Sequence, residues 1–160
     1  MDTDFPQARN FLTQRTFGPE CSGTLALDVN HMKDGDFAGL AALQKKYGLV
    51  GVRMSGDARF IVMVSAQSDS PAERQAVPLS ENMVFLKVEG DFRNRADEAR
   101  FYYSLHGNQW TAIGKPLRMA YTLPHFMSCR FALFNYATKV AGGFVDFDYF
   151  RVGRPLTGAD

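Results

Sequence analysis

The chain has 160 residues, 46% of them apolar and 13% aromatic, and carries 18 basic against 17 acidic side chains for a net charge of +1. That length fits one domain with a sizeable core, and the composition is that of a packed globular protein rather than a disordered one. A near-neutral balance gives no reason to expect nucleic acid or an anionic membrane as a partner, and no apolar run approaches the ~20 residues of a membrane span.

The opening Met1-Asp2-Thr3-Asp4 is acidic and no apolar stretch follows it, so no signal peptide is read. Short apolar-aromatic runs then recur between turn signals, the pattern of an all-β sandwich. Strands are predicted near residues 10–17, 22–30, 60–66, 82–89, 99–105, 130–136 and 143–152. Lys33-Asp34-Gly35-Asp36 reads as a tight turn with Gly35 at positive φ, and Ser55-Gly56-Asp57 and His106-Gly107-Asn108 read as hairpin turns. Residues 67–78 are polar and include Pro71 and Pro78, which predicts a loop. Residues 37–48 are ambiguous: propensity alone favours a helix ending at Gly48. The apolar run is short, Gly39 interrupts it and another strand-like run, 49–54, follows at once, so a hairpin turning at Lys45-Lys46 fits better. No repeat or linker divides the chain, which is read as one domain, 1–160, with its core at about 9–152. Cys21 and Cys129 are too few for a disulfide framework or a thiolate metal site. Two buried free thiols are expected, with a single bridge as the alternative in an oxidising compartment.

Several segments in order carry a family resemblance. They include Leu12-Thr13-Gln14-Arg15-Thr16-Phe17-Gly18-Pro19, Met32-Lys33-Asp34-Gly35-Asp36-Phe37 continuing to Gln44, and Tyr47-Gly48-Leu49-Val50-Gly51-Val52. Further on come Phe101-Tyr102-Tyr103-Ser104-Leu105-His106-Gly107-Asn108-Gln109-Trp110, Thr122-Leu123-Pro124-His125-Phe126, Arg130-Phe131-Ala132-Leu133-Phe134-Asn135-Tyr136 and Val145-Asp146-Phe147-Asp148-Tyr149-Phe150. Together they resemble the C-terminal concanavalin A-like module of family 43 glycoside hydrolases, the β-xylosidase and α-arabinofuranosidase group. The resemblance implies a jelly-roll sandwich of two antiparallel sheets and settles residues 37–48 as strand–turn–strand. Modules of that family usually begin earlier, with a Trp-containing segment and an Arg-Pro-Gly turn that add strands. This chain enters the shared pattern almost at once and holds no catalytic propeller, as a fragment or a natural short form would. Missing N-terminal strands would leave an exposed sheet edge, open to pairing with a second copy.

Glycoside hydrolysis needs two carboxyl groups facing each other across a sugar. Asp34 and Asp36 lie in a turn, where Asp is expected for backbone hydrogen bonding. Asp146 and Asp148 would share one strand face with Phe144 and Phe150, leaving Val145, Phe147 and Tyr149 on the other. Adjacent same-face residues straddle a bond poorly, so structural Ca²⁺ is a better use for this pair than catalysis, and the resemblance implies the same; carboxylates hydrogen-bonded to neighbouring loop amides are the competing account. The four-residue spacing of His125 and Cys129 would join them on a helix, but Pro124 and the β context argue against one. The three His residues lack zinc-ligand spacing, the glycines cradle no phosphate, and Met32, Met54, Met63 and Met83 read as core filler.

Ser104 to Trp110 resembles a Ser-x-Asp-Gly-x-x-Trp hairpin of carbohydrate-active β-proteins, with His106 in place of Asp. Trp110 is a candidate for stacking on a sugar, although packing under its own turn is its expected role. Gln44 with Tyr47, and Asn135 with Tyr136, combine amides with aromatic faces and are candidate glycan contacts; half-buried sheet positions are the competing account of both tyrosines. The resemblance further implies that Leu123-Pro124-His125-Phe126 reaches a catalytic propeller, with Phe126 on the active-site rim. The leading expectation is a non-catalytic accessory module, parted from a family 43 propeller, that binds xylan or xylo-oligosaccharides of β-1,4-linked plant polysaccharide. The alternative is a structural, interdomain module that completes the rim of a partner β-xylosidase propeller without glycan affinity of its own.

Overall fold

A computed structural model of the chain describes residues 11–44, 46–67, 70–119 and 129–154. The strands among them are β1 (Phe11–Arg15), β2 (Glu20–Asp28), β3 (Asp36–Leu43), β4 (Tyr47–Ser55), β5 (Ala58–Ala66) and β6 (Ala72–Leu79). They continue with β7 (Met83–Asp91), β8 (Glu98–Ser104), β9 (Thr111–Ala112), β10 (Leu117–Arg118), β11 (Arg130–Ala137) and β12 (Asp146–Gly153). A first antiparallel sheet runs β1-β11-β3-β4-β5-β6, and a second runs β10-β8-β7-β2-β12 with β9 added beside β8. The predicted concanavalin A-like sandwich is therefore the fold.

Local chemistry explains the elements. In β7, Val84, Leu86 and Val88 are buried while Met83, Phe85, Lys87 and Glu89 between them are half-buried, the period of two that puts one face on a core. Between the sheets the core gathers Leu25, Leu27, Leu40, Val50, Ile61 and Phe131. Each such side chain contributes roughly 1.5–3 kcal/mol through burial. Met32 and Met63 join them and Met54 packs alongside, as filler does. Cys21 and Cys129 are both buried free thiols.

The turns follow the sequence reading. Gly35 has φ 87°. Asp36 accepts the Lys33 N–H at 2.7 Å, and Asp34 accepts the Gly56 N–H at 2.8 Å. The β4–β5 link is a two-residue turn, Gly56-Asp57, with Gly56 at φ 59°, the pattern that matches strand twist. Residues 37–43 and 47–53 pair as the expected hairpin, with Leu43 opposite Tyr47.

Residues 67–78 depart from expectation. Their second half is β6, not a loop. It lies at the outer edge of the first sheet, where among the described residues one row of backbone groups has no partner strand and Pro78 is tolerated opposite Phe60. The polar composition that argued for a loop is what protects an edge strand from pairing with other chains. At the opposite edge of the same sheet lies β1, whose Leu12 is 64% exposed.

Candidate functional site

The outward face of the second sheet combines aromatic rings with charge. Cross-strand register aligns Arg151, Thr24, Lys87, Tyr102 and Ala112 in one row. Trp110 reaches this row through the turn after β8. The buried Ser104 hydroxyl oxygen accepts the Gly107 N–H at 2.8 Å and the His106 N–H at 3.3 Å, fixing the turn. Gly107, at φ 80°, rests against the Phe85 ring. The chain then delivers Trp110 over Lys87, whose Nζ lies 4.7 Å from the indole centroid and 4.6 Å from that of Tyr102. Glu89 completes the cluster, 2.8 Å from Lys87 Nζ. Burial, then the neighbouring Glu89 carboxylate, raises the Tyr102 hydroxyl above its ordinary pKa. Along the same row, the Arg151 guanidinium sits 4.4 Å over Tyr149. Such cation–π contacts, each worth about 0.5–2 kcal/mol, hold the rings in place. The arrangement suits recognition, since Glu89 is held by Lys87.

Of the residues read from sequence as glycan contacts, Trp110 alone belongs to this face. Half-buried, it stands against Lys87 of the neighbouring strand. Tyr47 starts β4 and is 7% exposed, within an apolar cluster on the outward face of the first sheet, so its ring offers no face to a sugar. Gln44 lies half-buried in the adjacent turn. Asn135 and Tyr136 do not form a joint platform, because neighbours on a strand point to opposite faces. Tyr136 pairs with Phe37 in the outward cluster, whereas Asn135 pairs with Ala38 of the inter-sheet core. His125 and Phe126 lie outside the described residues. Lys87 and Tyr102 were missed because their partners come from other strands, and Tyr149, which meets Arg151 of its own strand, because only the bulge before it sets its face; the alternation within Met83–Asp91 was the available signal.

The last strand also corrects its predicted faces. A bulge falls between Phe147 and Tyr149, so Asp148 is the extra residue and the alternation restarts after it. Phe150 consequently packs on the core with Val145 and Phe147, instead of sharing a face with Asp146. Asp146 and Asp148 are both exposed. Asp146 sits across from Asp28, yet among the described residues no third acidic, His or Cys side chain converges with them. Ca²⁺ takes six to eight oxygens, so an ion here would draw most of them from backbone carbonyls, amides and water rather than from carboxylates of the described residues.

Comparison with known proteins agrees with this architecture. Residues 2–153 match the family model described as the beta xylosidase C-terminal concanavalin A-like domain. A solved bifunctional GH43-CE protein of Bacteroides eggerthii is 54% identical, with TM-score 0.93 over 98% of this chain and 20% of that one. A GH43 glycoside hydrolase engineered to show both endo-xylanase and exo-arabinofuranosidase activity is 30% identical, with TM-score 0.84 over 92% of this chain and 31% of that one. The xylan beta-1,4-xylosidase of Bacillus halodurans shares the fold at 16% identity, with TM-score 0.70 over 89% of this chain and 29% of that one. No curated protein matches the chain. The chain thus spans a fifth to under a third of these solved proteins. Its sandwich, its strand order and a match over nearly its whole length make it a member of the beta-xylosidase C-terminal concanavalin A-like family found in family 43 glycoside hydrolases.

Proposed function

We propose that this module is non-catalytic and binds xylan-type β-1,4-linked polysaccharide across the outward face of its second sheet. The observation that carries the reading is the row in which Lys87 lies against both Tyr102 and Trp110, with Arg151 and Tyr149 beyond. Pre-positioned rings supply apolar faces for the C–H faces of sugars, and the interleaved charges supply hydrogen bonds to hydroxyls. Xylan is the ligand class suggested by the names of the relatives: a beta-xylosidase family model, an enzyme with endo-xylanase activity and a xylan beta-1,4-xylosidase. Calorimetric titration of the chain with xylo-oligosaccharides tests it. Binding that Trp110→Ala weakens about tenfold or more is expected. No heat at millimolar ligand would remove the proposal.

A second reading rests on the first sheet. Its outward face carries Phe37, Leu49, Val62 and Phe134, with Phe11, Leu43, Phe60 and Tyr136 half-buried around them. A sheet apolar on both faces is one that other structure covers. In this reading the half-buried residues around that layer, Phe11, Leu43, Phe60 and Tyr136, dock a family 43 catalytic domain, and the module acts on glycan only through that partner. Co-expression with such a domain, followed by size-exclusion chromatography, separates the two readings. A stable complex lost on Phe60→Glu, with no glycan binding by the module alone, would favour docking.

A further inference from the structure

A cavity of about 470 Å³ opens beside the edge strand β6, where the β9–β10 loop closes over it. Ser65 and Leu117 are its buried members, while Gln67, Arg74, Gln75 and Lys115 provide most of its polar wall. Its size is that of a small-ligand site. We infer that it binds the carboxylate of an acidic saccharide, a uronate carried on the polysaccharide.

The first support is backbone geometry. Successive residues of a strand point to opposite faces, yet Arg74 and Gln75 both line this cavity. A bulge makes that so: Met63 pairs with Gln75 and Val64 with Glu73, leaving Arg74 as the inserted residue. Bulges re-aim side chains in this way beside binding sites. Arg74 Nε then donates to Ser65 Oγ at 2.9 Å. With Nε committed, the two terminal nitrogens of the guanidinium are left for a ligand, in the planar fork that fits a carboxylate.

The facing wall is equally fixed. The Gly114 N–H donates to Gln75 Oε1 at 2.8 Å, tying the loop of the second sheet to the edge of the first. Gly114 has φ 70°, and a Cβ there would lie 2.6 Å from Met63 Sδ, so glycine is required for this approach. Because Oε1 of Gln75 is the acceptor, its amide nitrogen remains as a donor. Lys115 follows directly on the loop. Among the described residues neither Arg74 nor Lys115 has a carboxylate partner, and Glu73 is committed to Arg53 at 3.1 Å. Two cations with no carboxylate partner among the described residues, two amides and no aromatic ring in the wall suit a charged group better than a neutral sugar ring.

The saccharide part of this inference rests on the xylan-binding proposal; the carboxylate site does not. The test is an amide and Arg Nε NMR titration of the 160-residue chain with four ligands. These are a glucuronate-substituted xylo-oligosaccharide, its unsubstituted counterpart, sodium glucuronate and sodium acetate. The acidic oligosaccharide is expected to bind at least about tenfold tighter than the neutral one. Its signature is displacement of the Gly114 amide and Arg74 Nε–H signals. Arg74→Gln and Lys115→Gln, both exposed side chains, are each expected to abolish the difference while leaving the thermal midpoint unchanged. Equal affinity for the two oligosaccharides would overturn this inference and leave the Trp110 face standing. Binding of the acidic ligand alone, with Gly114 displaced and Trp110 unmoved, would uphold the pocket and overturn the neutral-xylan face. An acetate response equal to that of glucuronate would reduce the pocket to an unspecific anion site, and silence of all four ligands would overturn both proposals.

Discussion

The two sheets treat their outward faces differently. On the first, Ala41, Leu49, Val62 and Phe134 are as buried as the inter-sheet core, and the Phe37 and Phe134 rings meet edge to face at 5.1 Å. Gly51 beneath them has no side chain, and a Cβ there would lie 2.9 and 3.0 Å from those two rings. On the second sheet the outward positions of β7 and β8 hold Lys87, Glu89, Arg100 and Tyr102, charges and rings that solvent or a polar ligand can meet. One sandwich thus presents an apolar layer on one side and a wettable, ring-studded surface on the other. The contrast teaches that strand alternation alone does not mark the binding side. What lies opposite each outward residue on neighbouring strands does.

Truncation should break this contrast most sharply on the first sheet. Phe134→Ala is expected to cost about 3–5 kcal/mol in denaturant unfolding, the range for a large buried ring. A loss below about 1 kcal/mol would show that the outward layer is not packed as a core. Alkaline pH should act next, through the thiols between the sheets. Burial, with Cys21 nearby, pushes the Cys129 thiol up to about 12, against 9.0 for a free thiol. A folded value above the unfolded one means the neutral thiol stabilises the fold below about 9 and that this stability is lost as pH rises towards 12. The slope is at most about 1.4 kcal/mol per pH unit. Urea midpoints measured across that window should fall, and Cys129→Ser should flatten the decline; a pH-independent midpoint would contradict the burial.

On the second sheet the effects on stability should be smaller and those on binding larger. Lys87→Met removes two cation–π contacts and leaves Glu89 without its cation, an expected loss of about 1–2 kcal/mol in thermal or urea melts. Trp110→Ala, at a half-buried turn position, should cost less than about 1 kcal/mol while weakening glycan binding about tenfold or more. If it instead unfolds the chain, Trp110 is a packing residue and the face loses its anchor. Smallest of all, a chelator should leave the melting midpoint where it is, because among the described residues no cluster of three acidic, His or Cys side chains forms around Asp146 and Asp148; a drop of several degrees would establish the calcium site.

Much of the fold was legible because its signals are local. Gly35 and Gly56 sit where a turn demands positive φ, and β2, β5, β7, β8 and β11 fall within two residues of their predicted spans. The family resemblance resolved the hairpin at Lys45-Lys46, which propensity alone favoured as a helix. The candidate site was read less well. Of its members only Trp110 announced itself, since its hairpin is a contiguous motif. Lys87, Tyr102 and Tyr149 are ordinary residues of their strands until four strands, β12, β2, β7 and β8, are set in register.

What the sequence determined by itself was a β sandwich with a neutral surface balance and buried thiols, because period-two patterning, turn glycines and composition are properties of short stretches of chain. Only the tertiary structure decided which residues meet. It placed Tyr47 in an apolar layer, parted Asn135 from Tyr136, and made residues 72–79 an edge strand. Two bulges, at Asp148 and Arg74, each shift the alternation by one residue; a one-residue slip reverses every face beyond it, and nothing in local composition records it.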